Sequence, residues 1–180
     1  MKLFLDTNVV IDYMAAREPF CHDLRKIILN CRDHDIQLSV SSITFTTMEY
    51  VLKKHVPHEL LMKQFVLLRQ IVGVLPSGAD IIDKSIASTF VDFEDAVQYY
   101  TALGQMDVII TRNIKYFLPY SQLPVLTPSE FLAQYFLMDA SINEWRMLVP
   151  DTQRSPHDGH AEKGCMGRSR LFTFTQNGAR

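Results

Sequence analysis

Glycine-rich phosphate-binding loops are missing from this 180-residue chain, which has seven glycines in all, so neither a dinucleotide-binding nor a P-loop fold is indicated. Cysteine is also scarce. The three present, Cys21, Cys31 and Cys165, are odd in number and show no C-x-x-C spacing, which argues against a disulfide scaffold and suits a reducing compartment. Cys21 with His22, the pair His55 and His58, and the group His157, His160 and Cys165 have no organised zinc spacing. No apolar run approaches the roughly 20 residues needed to span a bilayer. The first residues lack the pattern of a secretory signal. A cytoplasmic protein without membrane association is expected. Charge of one sign is not in excess either: the formal net charge is −2, so any contact with nucleic acid must use a local basic patch.

What is present is an ordinary globular composition, 47% apolar and 21% charged, at a length that suits one domain with a real core. Short apolar runs alternate with helical patterns. Strands are expected at Leu3 to Leu5, Ile36 to Ser41, Val72 to Leu75, Asp107 to Thr111 and Val125–Leu126. Helices are expected between them, one opening at Pro19, one capped by Ser42 or Thr44, and one beginning with the acids after Asp92 and stopping at Gly104. Thr127 and Glu130, with Pro128 between them, have the spacing of a capping box for a last helix running to Met138. This order predicts an α/β fold with a parallel sheet of four or five strands covered on both faces. Residues 1–139 form the expected domain, and residues 140–180, polar after about residue 150, a peripheral tail.

Chemistry is sought at the carboxyl ends of parallel strands, where open α/β sheets bind ligands. Asp6 stands at the first such end. Its alternative role is to cap the helix that follows. Glu49 lies in the second turn of the helix after the second strand, beside an apolar face, and is otherwise a solvated acid. Asp92 and Asp95 share one helix face while Glu94 points elsewhere; the alternative is acids placed to suit the positive end of a helix dipole. Thr111, Arg112 and Asn113 follow a later strand, where Asn113 could instead cap a short helix.

Together these positions place oxygen donors after several strands. A convergent set of such donors is what Mg²⁺ or Mn²⁺ requires, and carboxylates crowded together without a cation repel and raise one another's pKa. Asn8 occupies the position two residues after Asp6 where a phosphatase of the haloacid dehalogenase type needs a second acid, and the adjacent acids of a receiver domain are lacking. Arg112, Lys115, Lys53 and Lys54 are candidates to hold phosphate or are surface charges. Tyr99, Tyr100, Tyr116, Phe117 and Tyr120 are candidates to stack on bases or to pack in the core.

The segment from Leu5 to Asp12, Glu49 in its strand-to-helix setting, Glu94-Asp95-Ala96 leading to Thr101-Ala102-Leu103, and Ile109-Ile110-Thr111-Arg112-Asn113 resemble, in order and spacing, the motifs of PIN-domain ribonucleases. The likeness extends over roughly Met1 to Leu137 and is close to toxins of bacterial toxin–antitoxin pairs. It implies a three-layer α/β/α sandwich. It implies Asp6, Glu49 and Asp95 as ligands of Mg²⁺ or Mn²⁺, with Asn8 and Thr111 orienting ligands or water. Asn113 stands where many members carry a fourth aspartate, and Asp92 could compensate. The implied activity is metal-assisted hydrolysis of RNA, with a small antitoxin and a homodimer as expected partners. The alternative is a non-catalytic PIN-like module that binds RNA or protein.

Overall fold

Leu3, Phe4 and Leu5 are all buried, yet they go to different places: Leu3 and Leu5 join one apolar cluster and Phe4 another. Side chains alternate across a strand, so the first strand must be covered on both faces. The strand after Asp107 repeats the pattern, with Val108 and Ile110 in the first cluster and Ile109 in the second. These two strands form the middle of a sheet between two helical layers.

The computed structural model describes residues 1–120 and 122–136. The elements are β1 (Lys2–Leu5), α1 (Thr7–Met14), α2 (Cys21–Asn30), β2 (Gln37–Ser41), α3 (Ser42–Leu52), α4 (His58–Arg69), β3 (Val72–Leu75), α5 (Ala79–Ile86), α6 (Phe93–Ala102), β4 (Val108–Ile110), α7 (Ile114–Phe117), β5 (Val125–Leu126) and α8 (Pro128–Tyr135). The five strands are parallel, in the order β3-β2-β1-β4-β5. The expected α/β architecture and strand count are found. The proposed tail and the continuation of α8 to Met138 lie outside the described residues.

The first cluster joins β1, β2 and β4 to α1, α2, α3, α4 and Phe131 of α8. The second joins Phe4, Ile109 and Val125 to Tyr99 and Ala102 of α6 and Phe117 of α7. Tyr99 and Phe117, two of the candidate stacking aromatics, are therefore core residues, at 2% and 0% exposure.

Helix ends follow local chemistry, with two shifts from expectation. Ser41, not Ser42 or Thr44, caps α3, its hydroxyl accepting from Ile43 N at 3.3 Å. Pro19 precedes the start of α2 at Cys21 rather than lying in its first turn. Gly104 takes φ +78° just past α6, a conformation that disfavours any residue with a Cβ. The Thr127–Glu130 capping box forms in full and fixes the start of α8.

Candidate metal centre at the carboxyl edge of the sheet

The strand order reverses direction between β1 and β4, and the carboxyl ends of those two strands flank the crevice where such sheets bind ligands. Asp6 follows β1 and Thr111 follows the end of β4. Their side chains meet there, with Thr111 Oγ1 donating to Asp6 Oδ2 at 2.6 Å.

Asp6 occupies the N-cap position of α1, but its side chain makes no capping hydrogen bond. It is only 2% exposed and is held instead by groups from three other places. Asn8 Nδ2 donates to Oδ2 at 2.5 Å, Thr111 donates to the same oxygen, and Gln98 Nε2 donates to Oδ1 at 2.7 Å. Asn8 is itself fixed, since its Nδ2 also reaches Thr111 Oγ1 at 3.1 Å and its Oδ1 accepts from Arg112 N at 3.3 Å. Burial is the largest influence on the Asp6 carboxyl and pushes it up to about 6; the charge of Glu94 adds to this, while the Thr111 and Gln98 bonds oppose it.

Around Asp6 opens a cleft of about 390 Å³, lined by Asp6, Asn8, Thr47, Asp92, Glu94, Asp95, Gln98, Asn113 and Tyr116 among others. The acids come mostly from the start of α6. Asp92 caps that helix, its Oδ1 accepting from Glu94 N at 2.8 Å and Asp95 N at 3.3 Å, so its capping role is realised together with its place on the cleft wall. Asp95 is pushed up to about 7, by burial first and then by the negative charges of Asp6, Asp92 and Glu94. Glu94, expected to point elsewhere, lines the cleft, with Oε1 3.5 Å from Gln98 Nε2.

Glu49 does not line this cleft. Its carboxylate pairs with Lys53 Nζ at 3.4 Å one turn along α3, and the cleft is lined from that helix by Thr47. The reason is helical geometry: the buried residues Thr44 and Met48 set the inward face, and Thr47 follows Thr44 by three positions, whereas Glu49 is rotated away from it. Arg112 is likewise engaged elsewhere. Its Nε lies 2.7 Å from Asp12 Oδ2, and its guanidinium sits 4.5 Å from the centre of the Phe20 ring. Asn113 lines the cleft but its side chain does not cap α7; its backbone N–H bonds Thr111 Oγ1 at 2.9 Å. Lys115 is exposed beside the cleft residue Tyr116, its Nζ 4.7 Å from the ring centre. Lys53 and Lys54 lie over Tyr50, away from the cleft lining.

Gln98 was not singled out by sequence, although it lies three residues after Asp95 and four after Glu94, hence on their face of α6. It is 1% exposed and also donates to Thr7 Oγ1 at 2.8 Å. Thr7 Oγ1 in turn lies 3.2 Å from Thr44 Oγ1 of α3.

The residues fit a hard divalent cation. Buried or half-buried carboxylates face one crevice and resist simultaneous ionisation, which a bound cation would relieve. Among the described residues the only trio of ligand types with atoms all within 4.8 Å is Glu18, Cys21 and His22, outside the cleft; there the His22–Glu18 ion pair already joins two of the members. The cleft acids are thus spread more widely, which suits an ion that keeps several waters and takes one or two carboxylates, as Mg²⁺ does. A larger hollow, about 530 Å³, opens at the opposite edge near Lys2, Gln37 and Asp107, where Asp107 Oδ2 is occupied by Lys2 N at 2.7 Å. It lies at the amino ends of the strands, the edge that such folds do not use for ligands.

A five-stranded parallel sheet flanked by helices, with an acidic crevice at the switch point between its central strands, places the chain among open α/β proteins that bind ligands at the carboxyl edge. This chain belongs to the PIN-domain family, whose model matches residues 2–115. No curated protein matches in sequence. Solved structures of similar fold include VapBC-1 from nontypeable Haemophilus influenzae, at 24% identity and TM-score 0.57, covering 72% of this chain and 99% of that one. DNA-bound VapBC from Salmonella typhimurium is similar at 20% identity and TM-score 0.57, covering 71% and 98%. The Mycobacterium tuberculosis toxin VapC20, described as cleaving the sarcin-ricin loop, matches at 13% identity and TM-score 0.50, covering 59% and 86%. At these identities the likeness establishes the fold. PIN domains of VapC-type toxin–antitoxin systems are generally ribonucleases, and PIN nucleases usually use a divalent metal.

Proposed function

We propose that this protein is a Mg²⁺- or Mn²⁺-dependent endoribonuclease and the toxin of a toxin–antitoxin pair. The observation that carries the reading is the state of Asp6. A carboxylate at a helix N-cap has a ready partner in the N–H groups of the second and third helical residues, yet this one makes no such capping bond, is buried, and is gripped by Gln98, Asn8 and Thr111 at a cleft it shares with Glu94 and Asp95. A cation held by Asp6 and Asp95, with Glu94 beside them, would lower the pKa of a bound water and offset charge on the phosphoryl oxygens. Asn8 and Thr111 keep Asp6 oriented. Asn113 offers an uncharged amide at the cleft wall, and Lys115, exposed beside the cleft residue Tyr116, is a cation for a substrate phosphate. Glu49, a ligand by resemblance, would have to leave Lys53 to contribute.

An antitoxin protein is the proposed partner, because the relatives of known structure include VapBC complexes. A homodimer and a cytoplasmic location accompany this reading; among the described residues no helix is long and apolar enough to cross a membrane. The test is cleavage of single-stranded RNA in Mn²⁺ or Mg²⁺ by the wild type, Asp6→Asn and Asp95→Asn. Loss in both variants is expected. Equal cleavage by all three would mean a contaminating nuclease and remove the enzyme reading, and RNA bound but uncut by the wild type would favour a non-catalytic module.

A further inference from the structure

Gln98 breaks a rule that buried amides normally keep. Its Nε2 stands within reach of three acceptors, Asp6 Oδ1 at 2.7 Å, Thr7 Oγ1 at 2.8 Å and Glu94 Oε1 at 3.5 Å, although an amide nitrogen has two hydrogens. Its Oε1 is buried and has no hydrogen-bond partner. Turning the amide over would set Oε1 against the oxygens of Asp6 and Glu94, so the observed orientation is the one the acids enforce. A buried carbonyl is left unmatched in order to keep the nitrogen on the acids. Such local conflicts concentrate at functional sites.

The lone pairs of Asp6 give this arrangement a consequence. A carboxylate has about four acceptor positions, two on each oxygen. On Oδ2, Asn8 and Thr111 take both. On Oδ1 the side-chain donor is Gln98, one against the two on Oδ2, while the Thr7 N–H also favours the charged carboxyl. The same nitrogen reaches Glu94 from the next turn of α6. We propose that Gln98 is the positioning residue of the cleft: it makes Asp6 a one-oxygen ligand through Oδ1 and holds that oxygen in register with Glu94. This rests on the metal-dependent reading above and deepens it.

Gln98→Met keeps the length and unbranched shape of the side chain, removes the donor, and also removes the unmatched carbonyl. Mn²⁺ affinity, followed by electron paramagnetic resonance of the free ion, should fall by ~10–100-fold, the range typical when a ligand's outer partner is lost. The melting temperature of the ion-free protein should stay close to the wild type. RNA cleavage by the variant should return towards the wild-type rate when Mn²⁺ is raised to saturation, whereas Asp6→Asn should not recover. If Gln98→Met does not fold, Gln98→Leu, apolar and equally without a donor, serves in the same titration; the same loss of Mn²⁺ affinity is expected, and wild-type affinity in it would overturn the proposal. Wild-type Mn²⁺ affinity in Gln98→Met, with Asp6→Asn unable to bind, would overturn the role of Gln98 alone. No Mn²⁺ binding by the wild type would overturn the metal-dependent reading and this inference with it.

Discussion

Arg112 closes over Asp12, its Nε 2.7 Å from Oδ2, and joins the segment after β4 to α1. The Asp12 side chain is 1% exposed and that of Arg112 33%, so the two members are not equivalent. Arg17 is a weaker second partner, 3.6 Å from Oδ1.

Removal of the arginine should therefore harm the fold more than removal of the acid. Arg112→Met leaves a buried carboxylate with only Arg17, and a loss of up to about 3 kcal/mol is expected, discounted for the partial exposure of the pair. Asp12→Asn leaves a cation that can turn to water, and should cost less. Chemical denaturation of both variants measures this. If Arg112→Met melts like the wild type but binds RNA poorly, its guanidinium serves substrate and not Asp12.

Thr47 and Glu49 exchange the roles that spacing alone would assign. Glu49→Gln should alter Mn²⁺ affinity by less than about threefold, because it removes only an exposed i,i+4 pair with Lys53. Thr47→Glu places a further carboxylate on the cleft wall and should tighten Mn²⁺ binding while lowering the melting temperature in chelator, since it adds to the repulsion among Asp6, Glu94 and Asp95. Isothermal titration with Mn²⁺ distinguishes these outcomes; a large loss in Glu49→Gln would return that residue to the ligand set.

Proton binding gives a third check. Asp6 and Asp95 rise from 3.8 to about 6 and about 7 on folding, so between those limits the folded chain holds protons that the unfolded chain has released. Stability without metal is then fully present below about pH 4 as far as these two groups are concerned, and is lost as pH rises through about 6 to 7. A cation competes with those protons and should act in the other direction. Melting in chelator should fall between about pH 4 and about pH 7, and Mn²⁺ should raise the melting temperature more at the higher pH. A chelator profile that climbs across this range would contradict the environment described for both acids.

Thr111→Val tests the hydrogen bond that does most to restrain Asp6. Thr111 is the largest of the influences that lower the Asp6 carboxyl. Without it the group should titrate higher, and the rising limb of the cleavage–pH profile should move to more alkaline pH while the saturated rate is kept. An unmoved limb would mean that Asp6 does not set it.

Much of this was legible in the chain because the signals were local. The tips of β1 and β4 follow from short apolar runs, and Asp6 and Thr111 stand out by position alone. The capping box at Thr127 and the end of α6 at Gly104 are likewise written within a few residues. That Thr47 and not Glu49 lines the cleft is not legible, because two residues along α3 are a rotation of about 200° and nothing local says which face turns inward. Thr47 and Gln98 were passed over because neither carries charge. Their places depend on how α3 and α6 pack across β1, and strand order is not legible from strand signals. Arg112 gave no sign of its attachment to Asp12, a residue one hundred positions earlier in the chain.

Helix α6 has two ends with different duties. Tyr99 and Ala102 pack in one cluster with Phe4 and Phe117, while Glu94 and Asp95 line the cleft with Gln98 buried behind them. The helix is therefore a rigid lever about ten residues long, pivoted in hydrocarbon and tipped with oxygen. A tilt too small to disturb the pivot is magnified at the tip. Changes such as Phe117→Leu, in the core beneath the helix and not on the cleft lining, should thus retune the grip on a cation through leverage rather than contact.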